Sequence, residues 1–97
     1  MLAAAAIADP IRRRVLELVR DEELAAGAIA AEFTVSRPAV SRHLRVLREA
    51  GLVHERRAGR ERLYRAEPSA LTDLRDWLDG YWAGRLDALR RLAEDER

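Results

Sequence analysis

Side chains suited to contact with nucleic acid recur along one short segment in the middle of the chain. They are Arg37, Ser41, Arg42, Arg45 and Arg48. An arginine guanidinium donates in a fixed fork, so it can bridge two phosphate oxygens or the O6 and N7 atoms of guanine. A serine is short enough to allow close approach and can bond a phosphate or a base. This segment therefore indicates a surface for double-stranded DNA.

An amphipathic helix positions these side chains. Apolar residues recur in the same segment at the i, i+4, i+7 spacing of one helix face, and they are Val40, Leu44 and Leu47. Ser36 is a good N-cap, and Gly51 stands where a left-handed C-cap is expected. We predict a helix over residues 37–50 with its arginines exposed, a shape that fits the major groove. The alternative is an ordinary solvated face, and four arginines against the single acid Glu49 favour DNA contact.

Two elements flank this helix. A short helix that begins around Gly27 and ends near Phe33 precedes it, joined by a tight turn at Thr34 and Val35. After it, short segments at 52–57 and 62–66 flank a turn that contains glycine, which predicts a two-stranded hairpin. The hairpin carries Arg56, Arg57, Arg60, Arg62 and Arg65. An arginine-rich ribbon beside a groove-binding helix would straddle phosphates or enter the minor groove.

Helices are predicted at both ends of the chain. Asp9 and Pro10 form a strong helix start, and apolar spacing extends this helix to about residue 20. Residues 3–8 allow a short preceding helix. Pro68 opens a long last helix. The prediction is a mostly α fold of about five helices with a two-stranded β-hairpin.

The last helix carries apolar side chains over a wide arc. A domain this small cannot bury all of them. We predict that residues 68–97 form a C-terminal dimerisation helix. The predicted interface residues are Leu74, Trp77, Leu78, Tyr81, Trp82, Leu86 and Leu89. Aromatic residues are enriched at protein interfaces, and the alternative is an aromatic ligand pocket.

Composition limits the protein class. The 97 residues suit one domain, 1–97, and with 48% apolar residues the chain is expected to be globular. The chain lacks cysteine. We expect neither a signal peptide nor a membrane span, and we therefore expect the protein in the cytoplasm. Its net charge of +1 hides a basic middle: residues 36–66 hold nine arginines against three acids. A basic centre between acidic ends is typical of a DNA-binding surface on a neutral scaffold.

Several motifs together resemble the ArsR family of bacterial winged helix-turn-helix repressors. They are Ala8-Asp9-Pro10 with Arg12-Arg13, the run SRPAVSRHLRVLREAGLV at 36–53, Gly59-Arg60, and Leu63-Tyr64-Arg65. The resemblance implies a homodimer, paired through its first and last helices, that represses transcription from palindromic operators while associated with the bacterial nucleoid. By position, it implies base contact for Arg37, Ser41 and Arg42. It implies backbone contact for Arg45 and for the hairpin arginines Arg57, Arg60 and Arg62.

Other features depart from metal-sensing members of that family. The cysteine pair is missing, and the last helix has no histidine. His43 and His54 are interpreted as structural or DNA-proximal residues, and we expect neither a metal site nor a cofactor. Thr34 stands where the family often has glycine, so we expect this turn to avoid a positive φ.

Catalysis is not expected. Ser36 and Ser41 belong to the predicted DNA-contacting helix, no base is placed to activate a serine, and there is no glycine-rich phosphate loop. Two alternatives to a simple repressor stay open. One is a winged-helix protein-interaction module without DNA binding, and the other is a repressor gated by a small organic ligand that the sequence does not identify.

Overall fold

A computed structural model describes residues 2–95, so the predicted ends of the domain at 1 and 97 lie outside the described residues. The elements are α1 (Leu2–Ala6), α2 (Pro10–Leu18), β1 (Leu24–Ala25), α3 (Ala26–Ala30), α4 (Arg37–Glu49), β2 (Val53–Ala58), β3 (Glu61–Ala66) and α5 (Pro68–Asp95). This order confirms the predicted winged helix-turn-helix fold. It adds one strand that the sequence analysis did not predict.

Helix α2 starts where the sequence places its cap. The Asp9 carboxylate accepts hydrogen bonds from the backbone amides of Ile11 at 2.8 Å and Arg12 at 3.1 Å. Pro10 occupies the first turn, where a missing N–H costs nothing. The helix ends at Leu18, two residues before the predicted end.

Helix α4 has defined caps at both ends. The Ser36 hydroxyl accepts from a backbone amide of the first turn at 3.3 Å. At the other end Gly51 has a φ of 76°. The Leu52 N–H donates to the Leu47 carbonyl at 3.0 Å, and the Gly51 N–H donates to the Arg48 carbonyl at 2.9 Å. These two bonds form a Schellman motif, so the predicted C-cap is confirmed.

The turn between α3 and α4 contains Thr34 and has no residue in the left-handed region. Among residues 2–95, Gly51 and Gly59 are the residues with positive φ, so the expectation for Thr34 is confirmed. Helix α3 ends at Ala30, earlier than the predicted end near Phe33, and turn residues cover the difference.

The predicted two-stranded hairpin is confirmed as β2–β3, and β1 joins it to form a three-stranded sheet. Strand order is β1-β3-β2, with both pairs antiparallel. The extra strand, β1, pairs Leu24 with Tyr64 and Ala25 with Leu63. It joins the loop before α3 to the middle of the hairpin, so the helix-turn-helix and the hairpin share one sheet.

The hairpin β2–β3, hereafter the wing, turns through two residues between the paired Ala58 and Glu61. Gly59 has a φ of 63° and Arg60 does not have a positive φ, which matches a type II′ turn rather than type I′. Side chains alternate across the wing. One face looks toward α4 and carries Val53, Glu55, Arg57, Arg62, Tyr64 and Ala66. The opposite face carries His54, Arg56 and Arg65.

The core lies between α2, α3, α4 and the root of the wing. Its most deeply buried side chains are Val15, Val19, Ile29, Val40, Leu47 and Leu52. Backbone bonds close it on the wing side, since the Ala66 N–H donates to the Val19 carbonyl at 3.0 Å and the Glu67 N–H to the Leu52 carbonyl at 2.8 Å.

Helix α5 packs on the body only through its first turns. Leu74 is 6% exposed, and Ala70 and Leu71 are partly buried against the core. Beyond Leu74 the helix extends away from the body, which gives the molecule a longest dimension of 65 Å. Large apolar side chains stay exposed there, and they are Trp77, Tyr81, Trp82, Leu86, Leu89 and Leu92. No helix within residues 2–95 is long and apolar enough to cross a membrane.

Candidate nucleic-acid interface

The exposed face of α4 carries the side chains that the sequence singled out. Val40, Leu44 and Leu47 are buried. The five side chains of this helix that the sequence singled out are exposed, and they are Arg37, Ser41, Arg42, Arg45 and Arg48. The amphipathic division predicted for this helix is therefore confirmed.

A cavity of about 400 Å³, the helix–wing cavity, lies between this face and the wing. Its polar lining comes from both elements: Ser41, Arg42, Arg45 and Arg48 from α4, and Glu55, Arg62 and Tyr64 from the wing. The structure thus brings one wing arginine to the same concave surface as three helix arginines. A polyanion entering it would meet guanidinium groups from two sides.

Glu55 is the centre of a hydrogen-bond network in this cavity. Its carboxylate accepts from Arg48 at 3.0 Å, from Arg62 at 3.3 Å and from the Tyr64 hydroxyl at 2.8 Å. The hydrogen bond from Tyr64, with the charges of Arg48 and Arg62, holds the pKa of the Glu55 carboxyl below its ordinary value. Burial and the same hydrogen bond raise the pKa of Tyr64.

Glu55 was missed as a site residue in the sequence analysis. The signal that could have found it is strand alternation: Glu55 stands two residues after the apolar Val53, so both side chains point to the face that packs on α4.

A second cavity, of about 580 Å³, lies on the other side of Arg62. Arg37, Arg60 and Arg62 line it together with Glu61 and residues 25–28. We call it the Arg37 cavity. A Cβ built on Gly27 would lie 3.6 Å from the Arg37 guanidinium, so that side chain rests against the start of α3. The structure thus separates Arg37 from Ser41 and Arg42, which line the helix–wing cavity.

The wing arginines divide between its two faces. Arg57 and Arg62 are cross-strand partners on the face toward α4. Arg56 lies on the opposite face and donates two hydrogen bonds to Glu23, at 2.7 and 2.6 Å. The hydrogen bond from Arg56 lowers the pKa of the Glu23 carboxyl. The sequence alone did not separate Arg56 from the other wing arginines.

The two histidines lie on different elements and have different neighbours. His43 of α4 has its Nδ1 atom 3.2 Å from an Arg12 guanidinium nitrogen and 4.0 Å from an Asp9 carboxylate oxygen. His54 of β2 pairs with Glu67. Within residues 2–95, no three His, Cys, Asp or Glu side chains are grouped as a metal site requires.

The predicted interface residues of α5 differ in exposure. Leu74 is buried within the chain and Leu78 is half-buried, whereas Trp77, Tyr81, Trp82, Leu86 and Leu89 are exposed. Trp77 and Tyr81 stack with ring centroids 6.0 Å apart, and the Arg85 guanidinium lies 5.5 Å from the centroid of the Tyr81 ring. Because Leu74 is buried within its own chain, it offers little surface to a partner.

Comparison with known proteins identifies a family and several related transcriptional regulators. Residues 9–55 match the family described as "Bacterial regulatory protein, arsR family". The HTH-type transcriptional regulator Rv2034 of Mycobacterium tuberculosis is 43% identical over 91 residues, which cover 94% of this chain and 85% of that protein. The transcriptional repressor SdpR of Bacillus subtilis is 36% identical over 73 residues, covering 75% and 81% of the two chains.

The similar solved structures are also described as transcriptional regulators. A crystal structure of a possible transcriptional regulator for arsenical resistance shares 46% identity, covers 88% of each chain and superposes with a TM-score of 0.79. The homodimeric winged helix-turn-helix DNA-binding domain of Mb0332 from Mycobacterium bovis shares 28% identity over 99% of this chain and 78% of its own, with a TM-score of 0.67. These proteins are regulators rather than enzymes. The chain belongs to the arsR family of bacterial regulatory proteins and is a transcriptional regulator with a winged helix-turn-helix DNA-binding domain.

Proposed function

We propose that this regulator binds a palindromic operator as a homodimer and represses transcription at the nucleoid of a bacterial cytoplasm. The observation that carries the proposal is the helix–wing cavity, where arginines of α4 and of the wing line one concave surface. An α-helix enters the major groove while the adjoining wing follows the backbone, so one domain reads bases and holds phosphates at once.

Each side chain has a proposed role. Ser41 and Arg42 lie in the first half of α4 and reach base edges, and Arg37 does so from the helix start. Arg45 lies one turn later and contacts phosphates. The wing arginines Arg57, Arg60 and Arg62 hold the backbone on either side of the groove.

The exposed end of α5 is the proposed dimer interface, with residues 68–97 as the dimerisation helix. The predicted residues with surface available to a partner are Trp77, Leu78, Tyr81, Trp82, Leu86 and Leu89, while Leu74 packs inside its own chain. So many exposed apolar side chains on one helix are typical of an interface. The homodimeric relative from M. bovis supports self-association of this chain.

One observation favours gating by a small organic ligand as a second candidate function. The Trp77–Tyr81 stack with Arg85 over Tyr81 offers apolar rings beside a cation, a combination that suits an aromatic or anionic effector. Such an effector would act by changing how two α5 helices pack.

The experiment is selection of random duplex DNA by the purified full-length chain, followed by sequencing. We expect a palindromic motif with two half-sites separated by about one helical turn, and sedimentation of a dimer. A reporter placed behind the selected motif should lose expression when the protein is present. Failure to enrich any motif, or to bind duplex DNA at low salt, would contradict the proposal and favour a protein-interaction module.

A further inference from the structure

Glu55 is an acid within a surface that is otherwise basic. The other charged side chains that line the helix–wing cavity are Arg42, Arg45, Arg48 and Arg62. A carboxylate there repels every phosphate that approaches, which weakens the nonspecific attraction that arginines supply to any duplex. A surface selected for affinity alone would not place an acid at this position.

Glu55 pairs with two of the four arginines that line the helix–wing cavity. It accepts from Arg48 in the last turn of α4 and from Arg62 in β3, so one carboxylate occupies a guanidinium from the helix and one from the wing. Arg42 and Arg45 line the same cavity and make no ion pair within the described part of the chain. A phosphate that contacts Arg48 or Arg62 must therefore displace the Glu55 carboxylate, whereas a phosphate that contacts Arg42 or Arg45 displaces no carboxylate of the described residues.

Phosphates and base edges respond differently to this arrangement. Nonspecific complexes depend almost entirely on phosphate contacts, so a carboxylate that occupies two arginines weakens them directly. In a specific complex part of the affinity comes from base contacts, which competition for two phosphate-binding arginines weakens less. The negative charge therefore lowers affinity for other sequences more than affinity for the preferred sequence.

From this geometry we propose that Glu55 is a specificity-determining residue of the DNA interface, whose carboxylate competes with phosphates for Arg48 and Arg62 and so lowers affinity for random DNA more than for the preferred sequence. This inference rests on the proposed function, since it requires that α4 and the wing contact DNA together. Glu55 acts through the two arginines and is a positioning residue for them.

The test compares Glu55→Gln with Glu23→Gln in the full-length chain. Glutamine keeps the shape of Glu55 and one acceptor oxygen, and thermal unfolding of each variant is measured first. Glu23→Gln makes the same change in net charge and frees a wing arginine, Arg56, on the face away from α4. Binding is measured across several salt concentrations, on the duplex that the wild-type chain selects and on a random-sequence duplex of equal length.

For Glu55→Gln we expect random-duplex affinity to rise about tenfold near 0.1 M salt and the log K versus log salt slope to steepen by about one, because the net charge of the cavity rises by one. Affinity for the selected duplex should change much less, so discrimination falls. Glu23→Gln should leave discrimination unchanged. Adding Arg62→Gln to Glu55→Gln should return the slope to that of the wild type, because it restores the net charge of the cavity.

A charge-retaining variant separates electrostatics from packing. Glu55→Asp keeps the negative charge in the cavity and should discriminate as the wild type does. Loss of discrimination in Glu55→Asp would overturn the proposal, as would an unchanged slope and an unchanged ratio of the two affinities in Glu55→Gln. If the wild-type chain bound no duplex at all, the proposed function would fail, a result that differs from normal binding without any effect of Glu55.

Discussion

Arg57 and Arg62 lie directly opposite each other on the two wing strands, on the face that looks toward α4. Like charges at directly opposed positions of an antiparallel pair repel and destabilise the ribbon. The positive charge of Arg62 is partly compensated by its hydrogen bond to the Glu55 carboxylate at 3.3 Å. Arg57 makes no ion pair within residues 2–95. This arrangement costs stability in the free protein, and a phosphate placed between the two guanidinium groups would relieve the repulsion.

We expect Arg57→Gln to stabilise the free protein and to weaken its binding to DNA. Removing the repulsion should raise the free energy of unfolding by about 0.2–1 kcal/mol, and losing one phosphate contact should make the log K versus log salt slope shallower by about one. Urea unfolding without DNA and binding titrations measure the two effects. Arg65→Gln, which removes the same charge from the opposite face, is the control. A less stable Arg57→Gln protein with normal DNA affinity would contradict this assignment.

Gly51 has a φ of 76° in the Schellman motif that ends α4. We expect Gly51→Ala to lower the free energy of unfolding by about 1–2 kcal/mol, because a Cβ in the left-handed region meets the following carbonyl oxygen. Gly51→Asn is the matched control and should lower the free energy of unfolding less than Gly51→Ala does, since asparagine adopts this conformation more readily than alanine. Equal losses for alanine and asparagine would show that φ is not the cause. Urea unfolding of the three proteins decides between these outcomes.

Much of this fold could be predicted because its signals are local. The caps Asp9, Ser36 and Gly51 stand beside clear apolar periodicity, so α2 and α4 were predicted within two residues of their observed ends. Strand β1 has only two residues, Leu24 and Ala25, which is too short for any alternation to show. Its existence depends on pairing with Tyr64 and Leu63, about forty positions away, and local patterns do not report such contacts.

The candidate site was predictable only in part, for a similar reason. Helix periodicity separated the arginines of α4 from its buried face, because both lie on one continuous element. The division between the helix–wing cavity and the Arg37 cavity depends on how the wing docks against α3 and α4. The pairing of Arg56 with Glu23 joins residues 33 positions apart. Neither follows from spacing along the chain.

The proposed dimer interface on α5 can be tested without disturbing the body of the domain. Leu89 is 62% exposed, so Leu89→Glu removes no packing inside the chain. We expect this variant to sediment as a monomer and to bind the selected duplex more weakly, because a carboxylate would be buried without a partner in the dimer. Arg91→Glu places the same side chain on the far side of α5, since residues two apart in an α-helix are about 200° apart around its axis, and it should remain dimeric. A dimeric Leu89→Glu protein would show that partners meet elsewhere.

Metal ions should not regulate this protein. The chain has no cysteine, and its two histidines lie on α4 and on β2 with partners of their own, Arg12 and Glu67. Zinc prefers four nitrogen, sulfur or oxygen ligands in tetrahedral geometry. After dialysis against chelator, titration with zinc or cadmium should leave affinity for the selected duplex unchanged. A stoichiometric complex that released DNA would contradict this prediction and would indicate ligands supplied by two chains.

The last prediction separates base reading from backbone anchoring. Arg42 lies between the buried Val40 and Leu44 in the first half of α4 and lines the helix–wing cavity, whereas Arg60 lies at the wing turn and lines the Arg37 cavity. From these positions we expect Arg42 to reach base edges and Arg60 to reach only the backbone and the minor groove.

Arg42→Ala should therefore cost about 1–3 kcal/mol on the selected duplex, relax the preference at one base position, and leave random-duplex affinity nearly intact. Arg60→Ala should weaken binding to both duplexes equally. It should also make the log K versus log salt slope shallower by about one, because it removes a phosphate contact. Competition binding with selected and scrambled duplexes across several salt concentrations measures both quantities. Equal losses on the two duplexes for Arg42→Ala would show that this arginine holds a phosphate rather than a base, and base reading would then fall to Ser41 and Arg37.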